Sequence, residues 1–145
     1  MRRPPFPIDW LLAAEAVLAL FVAALAVALL PFARSVRLGA VRLGAVRLGA
    51  VRPGSGSLGR AGGTSTEAII WAVTAASARV PWRSVCFHDG LAAQYLLRRR
   101  GIDARLHYGA AIGEALSAHV WVTVDGEPVI GGAEAGPFAE LYAVP

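Results

Sequence analysis

The chain has 145 residues, 56% of them hydrophobic, and a formal net charge of +4 in which every lysine-or-arginine cation is arginine. That length holds one modest domain plus an apolar extension. A single cysteine excludes an intramolecular disulfide and suits a reducing compartment, and the charge alone gives no ground for a nucleic-acid binder.

In chain order, the first feature is Trp10 to Phe32, 23 residues whose one charge is Glu15, close to the ~20 that cross a hydrocarbon core. Arg2 and Arg3 precede it, and Arg34, Arg37, Arg42, Arg47 and Arg52 follow, so a spanning helix would leave the rest of the chain in the cytoplasm, tethered to the inner face of the cell membrane. A cleaved signal peptide fits less well, because the run exceeds the usual ~7 to 15 apolar residues and no small-residue cleavage site follows Leu30. A helix that docks on its own domain or lies at the membrane surface is the other reading. Residues 1–34 are therefore expected to form an apolar helix with membrane contact through residues 10–32.

"VRLGAVRLGAVRLGAVRPG" follows, a five-residue unit starting at Val36, Val41 and Val46, with an altered copy at Val51. Five residues overshoot a helical turn by about 140°, so the arginines spread around the axis and form no face. With a glycine in each unit and "PGSGSLGRAGG" behind them, residues 35–63 read as a linker. Its arginines suit an anionic lipid surface, although slippage in a tolerant linker explains the repeat better.

Residues 64–145 pattern as a folded domain. Ile69, Ile70, Trp71, Val73 and Ala76 recur at helical spacing between Glu67 and Arg79. Ser84 is placed to cap a second helix that ends at Arg98, Arg99, Arg100 and Gly101, basic residues and a glycine that suit a helix C-terminus. "DARLHY", "SAHVWVTV", "EPVI" and "FAELYAV" read as strands, with Asp125-Gly126 as a hairpin turn. Helix, helix and antiparallel sheet make an α+β fold.

With Ser84 as cap, Cys86 takes the second helical position, where free N–H groups and the positive dipole end favour a thiolate. A nucleophilic thiol also needs a base, and three histidines compete. His88, two residues on, points away around the helix. His107 lies in the first strand, where an edge or surface role explains it. His119 opens "AHVWVTVDG" with Trp121 on its face, on a strand able to pack against the second helix. A buried, inert Cys86 is the rival to this pairing. A metal site from Cys86, His88, His107 and His119 lacks the paired spacing of zinc ligands.

From about Ala75 to Val144, "VPWRSVCFHDGLAAQYLLRRRGIDARLHYG" followed by "AHVWVTVDGEPVIGG" resembles the transglutaminase-like cysteine peptidases of lasso-peptide clusters, the B2-type leader peptidases. Trp82-Arg83, the helix-start cysteine, "LLRRRGI" and the alanine-histidine-x-tryptophan strand carry the resemblance. It implies a papain/transglutaminase-like core of two helices and a small antiparallel sheet, with Cys86 as nucleophile and His119 as general base, and no cofactor or metal. It also implies that the substrate is a ribosomal precursor peptide, cut with the help of a separate leader-binding protein and a macrolactam synthetase. The VRLGA repeat and the long apolar N-terminus depart from that family. The alternative class is a membrane-tethered, non-catalytic interaction module.

The acid that orients His119 is the least determined part. Asp125 lies six residues along an extended strand, roughly 20 Å away, and serves better as a structural turn residue. The two-residue turn sets His119 opposite Gly132. The resembling family draws its acid from this returning strand, where this chain has Gly131 and Gly132. Glu134, swung inward by a bulge, or a backbone carbonyl is expected to take the role.

Overall fold

The computed structural model describes residues 10–29, 65–112 and 115–144; the linker expected at 35–63 and both ends of the 1–34 segment lie outside them. Among the described residues there are three α-helices, α1 (Trp10–Leu29), α2 (Thr66–Ser77) and α3 (Cys86–Arg99), and four strands, β1 (Ala104–Ile112), β2 (Leu116–Val124), β3 (Glu127–Ile130) and β4 (Ala139–Val144). The strands form one antiparallel sheet in the order β3-β2-β1-β4, giving the expected α+β fold.

α3 occupies the middle, against α1 and α2 on one side and β1 and β2 on the other. Contact on both sides explains why Gly90, Leu91, Ala92, Ala93, Gln94, Leu96 and Leu97 are all buried. The small residues set the separations: a Cβ added to Gly90 would come within 2.8 Å of Leu106 Cδ1 and 2.9 Å of Val120 Cγ1. α1 turns Leu12, Ala16, Ala19, Leu20, Ala23 and Ala26 inward, a spacing of three and four that makes one helical stripe. All of these but Ala26 join α2, α3 and the sheet in a single core cluster.

The helix ends follow their sequences, with one correction. Ser65 caps α2, its Oγ accepting from the Ala68 N–H at 3.2 Å. Ser84, expected to cap α3, does not. Val85 is the N-cap, and the Ser84 hydroxyl donates instead to Asp89 Oδ1 at 2.7 Å. The Val85 N–H donates to His88 Nδ1 at 3.3 Å, so His88 supplies the reciprocal half of a capping box. At the other end Gly101 adopts φ +80°, and the Gly101 and Ile102 N–H groups donate to the Arg98 and Leu97 carbonyls, a Schellman closure.

Asp125 (φ +53°) and Gly126 (φ +85°) form the expected two-residue turn, both central residues left-handed as a type I′ hairpin requires. Val124 faces Glu127 across it, but the register shifts between Val122 and Thr123, so that Val122 faces Ile130. The bulge therefore falls at Val129, before the two glycines, and the strand ends at Ile130 ahead of a 3-10 turn, Gly132–Glu134. The expected pairing of His119 with Gly132 does not form.

Candidate active site

Cys86 is the first residue of α3, half-buried, and is not the second helical residue as a Ser84 cap would make it. Its own N–H lies among the first-turn groups that have no intrahelical acceptor. Where α3 places the thiol follows from its other contacts with the sheet. Gln94 donates from Nε2 to the carbonyls of Ala104 (3.4 Å) and Val144 (3.1 Å). One turn earlier, Gly90 lies over Leu106 and Val120. A turn of helix (about 5.4 Å) and two residues of strand (about 6.6 Å) advance almost together. Cys86, a further turn back, therefore comes level with Tyr108 and Ala118, and the neighbouring Phe87 ring meets Tyr108 at 5.6 Å between centroids.

His119 is at that same level, paired across the ladder with Gly109. Val120 and Val122 face α3, so the His119 ring leaves β2 on the side of Trp121. It stacks on Trp121 (6.2 Å, 17°) and lies against Phe138 (5.1 Å, 34°). Its Nε2 is 2.7 Å from the Gly131 carbonyl. A carbonyl only accepts, so Nε2 carries the proton and Nδ1 of the neutral ring is left with its lone pair free, the form a base needs. The thiol and this ring share one end of the sheet but approach it from opposite faces, the thiol on the α3 side and the ring on the Trp121 side, and are not hydrogen-bonded to each other.

The other expected residues are spread more widely. Glu134 sits exposed on the 3-10 turn, and Asp125 is in the hairpin at the far end of β2. His88 is spent on its own helix start, and burial lowers its pKa from the usual 6.5, with Asp89 opposing the shift. His107 is not at an edge, because β1 lies inside the sheet. Its Nδ1 meets Glu140 Oε2 at 2.9 Å and its Nε2 meets Thr123 Oγ1 at 2.8 Å, while its ring stacks on Trp121 at 5.4 Å and 7°. His107, Trp121, His119 and Phe138 thus make a continuous column of rings that holds the His119 imidazole in place. Burial pushes the Tyr108 hydroxyl well above its ordinary range, so it stays a neutral phenol beneath the start of α3. Among the described residues, no three His, Cys, Asp or Glu side chains are grouped to hold a metal ion.

A cysteine opens the central helix and a histidine lies at the same end of the adjoining sheet, and residues 26–143 match the transglutaminase-like superfamily. The chain belongs to that superfamily. No curated protein and no solved structure matches it. Transglutaminase-like proteins are commonly cysteine peptidases or transferases, chemistry in which a thiolate attacks a carbonyl carbon and a histidine handles the protons. Phe138, Thr123 and Glu140, which meet the His119 and His107 rings, carried no signal in the sequence. The glycine pair after β3 did, and the Gly131 carbonyl is the group that meets His119 there.

Proposed function

We propose that this transglutaminase-like protein is a cysteine peptidase that removes the leader from a ribosomally made lasso precursor peptide. The observation that carries the proposal is Cys86 at the first position of α3, level with a His119 whose Nε2–H is engaged by Gly131. The thiol proton passes through one water at the shared end of the sheet to His119 Nδ1, and the Cys86 sulfur attacks the scissile carbonyl. The Cys86 N–H faces the oxyanion, a donor usually worth about 2.7 to 4 kcal/mol. The C–N bond breaks as the leaving amine takes the proton from His119, and a thioester remains. Water then gives a proton to His119 and attacks the thioester, releasing the peptide acid and the thiol. The Gly131 carbonyl is the positioning group, the backbone option of the two expected, and Glu134 stays in solvent.

The motifs around Trp82-Arg83, Cys86 and His119 support the lasso assignment, together with its partners: a precursor peptide, a separate leader-binding protein and a macrolactam synthetase, all cytoplasmic. The test is cleavage of the precursor peptide encoded beside this chain, with its leader-binding protein present, read by mass spectrometry. Wild type is expected to cut once at the leader boundary. Cys86→Ala and His119→Ala, each with an unchanged circular dichroism spectrum, are expected to leave the peptide intact. Near wild-type cleavage by either variant overturns the mechanism. Alkylation by iodoacetamide near pH 6 separates an activated thiol from the inert one of a non-catalytic module.

A further inference from the structure

α1 is apolar on both sides. Its inner stripe is in the core, while Trp10, Leu11, Val17, Leu18, Phe21, Val22, Leu25 and Leu29 are all exposed, joined by Ala14 and Ala28 and broken by no charge. That outer spacing of three and four continues over the whole helix, a face of the kind that soluble surfaces leave uncovered only where something binds. Beside it a groove of about 230 Å³ runs between α1 and α3, lined by Leu18, Val22, Leu91 and Tyr95 among others, with Glu15 and Arg99 at one end.

The charges point to the occupant. Residues 1–64 hold eight arginines against two acids, whereas residues 65–145 hold six against eight. The net positive charge thus belongs to the segments flanking α1. An apolar helix face whose neighbours in sequence are rich in arginine suits a bilayer carrying anionic lipid. Orientation follows from the packing. The inner side of α1 is fixed to α2 and α3, and Glu15 pairs with Arg99 and Arg100 at the end of α3. A spanning α1 would carry those helices and their arginines into hydrocarbon.

We infer that α1 is an in-plane membrane anchor: its exposed face seats in the headgroup and acyl boundary of an anionic membrane while its inner face stays part of the domain core. The anchor is independent of which peptide the thiol acts on, and its test reads binding, not cleavage. The full chain is floated with vesicles of phosphatidylcholine, alone or mixed with phosphatidylglycerol. Binding to the mixed vesicles is expected, with on the order of tenfold weaker partition on pure phosphatidylcholine and a marked loss at high salt. Leu18→Asp with Leu25→Asp should abolish flotation while circular dichroism and thiol alkylation stay at wild-type values. Gln in place of Arg37, Arg42 and Arg47 should remove the lipid selectivity in a folded chain. The anchor is overturned by absence of vesicle binding in the folded wild type. It is also overturned by unaltered binding in the double Asp variant, by a dimer in solution that the Asp pair disrupts, or by retention after alkaline extraction, which would indicate a span.

Discussion

At Gly131 the backbone turns with φ +71°, and a Cβ there would lie 2.6 Å from the Val120 carbonyl. No other residue holds its own carbonyl on the His119 ring here without moving β2, since the left-handed conformation and the close approach both require glycine. Gly131→Ala is expected to lower turnover at least as much as the loss of a positioning hydrogen bond, about tenfold, in a chain that still folds. Glu134→Ala and Asp125→Asn should leave turnover within about twofold, given that one carboxylate is in solvent and the other in a turn that Asn also tolerates. Steady-state cleavage rates on folded variants check all three, and a large loss at Glu134 would restore the carboxylate as third member. His88 gives a pH signature. Its folded pKa is depressed below 6.5, chiefly by burial, so its stabilising effect is complete above that value and is lost as pH falls below it. His88→Gln keeps an acceptor for the Val85 N–H and removes the titration. Melting temperatures should coincide above pH 6.5, and the variant should fall less steeply below it.

The helix–sheet contact at Gly90 shows how tightly α3 is held. Alanine there gains about 1 kcal/mol in helix propensity, but the new methyl meets Leu106 and Val120 in a packed core, where overfilling costs about 1 to 3 kcal/mol. The expected result is a net loss of about 1 kcal/mol by denaturant titration, largely restored by adding Val120→Ala, because the two changes share one space. Elements whose ends depend on backbone chirality were legible in the sequence: Asp125-Gly126 and Gly101 sit where few other residues would. The start of α3 was not. Ser84 is the better cap by propensity, yet its hydroxyl is taken by Asp89 and the cap falls on Val85. The end of β1 was also hidden, since Gly109, Ala110 and Ala111 have little strand preference and are strand because β2 and β4 pair with them. Cys86 and His119 could be picked out as side-chain chemistry. Their orienting group could not, because a main-chain carbonyl is the same in every residue and only the bulge at Val129 decides which one arrives. The half-buried setting of His107 depended on strand order, which local patterns do not encode.

Taken whole, the molecule ties its two ends together. The sequence reading separated residues 1–34 from 64–145, whereas α1 buries Leu12 and Leu20 in the same cluster as Ile69, Leu97 and Leu106. Leu20→Ala is expected to destabilise the chain by about 2 to 5 kcal/mol, as at any filled core site, within one cooperative transition. A melt identical to wild type would show α1 to be an independent tether, and deletion of residues 1–63 should likewise expose the α2 and α3 faces and lead to aggregation. The ion pair from Glu15 to Arg100 spans 85 residues of sequence, and that separation has a consequence in time. At about 5 to 20 residues per second, the ribosome takes roughly 4 to 17 seconds between making the helix and making its partner surface. Through that interval the twenty-residue apolar segment has been made and its intended cover has not. Whatever meets it first, a chaperone, a targeting factor or a lipid surface, does so before Arg99 and Arg100 arrive to pair with Glu15.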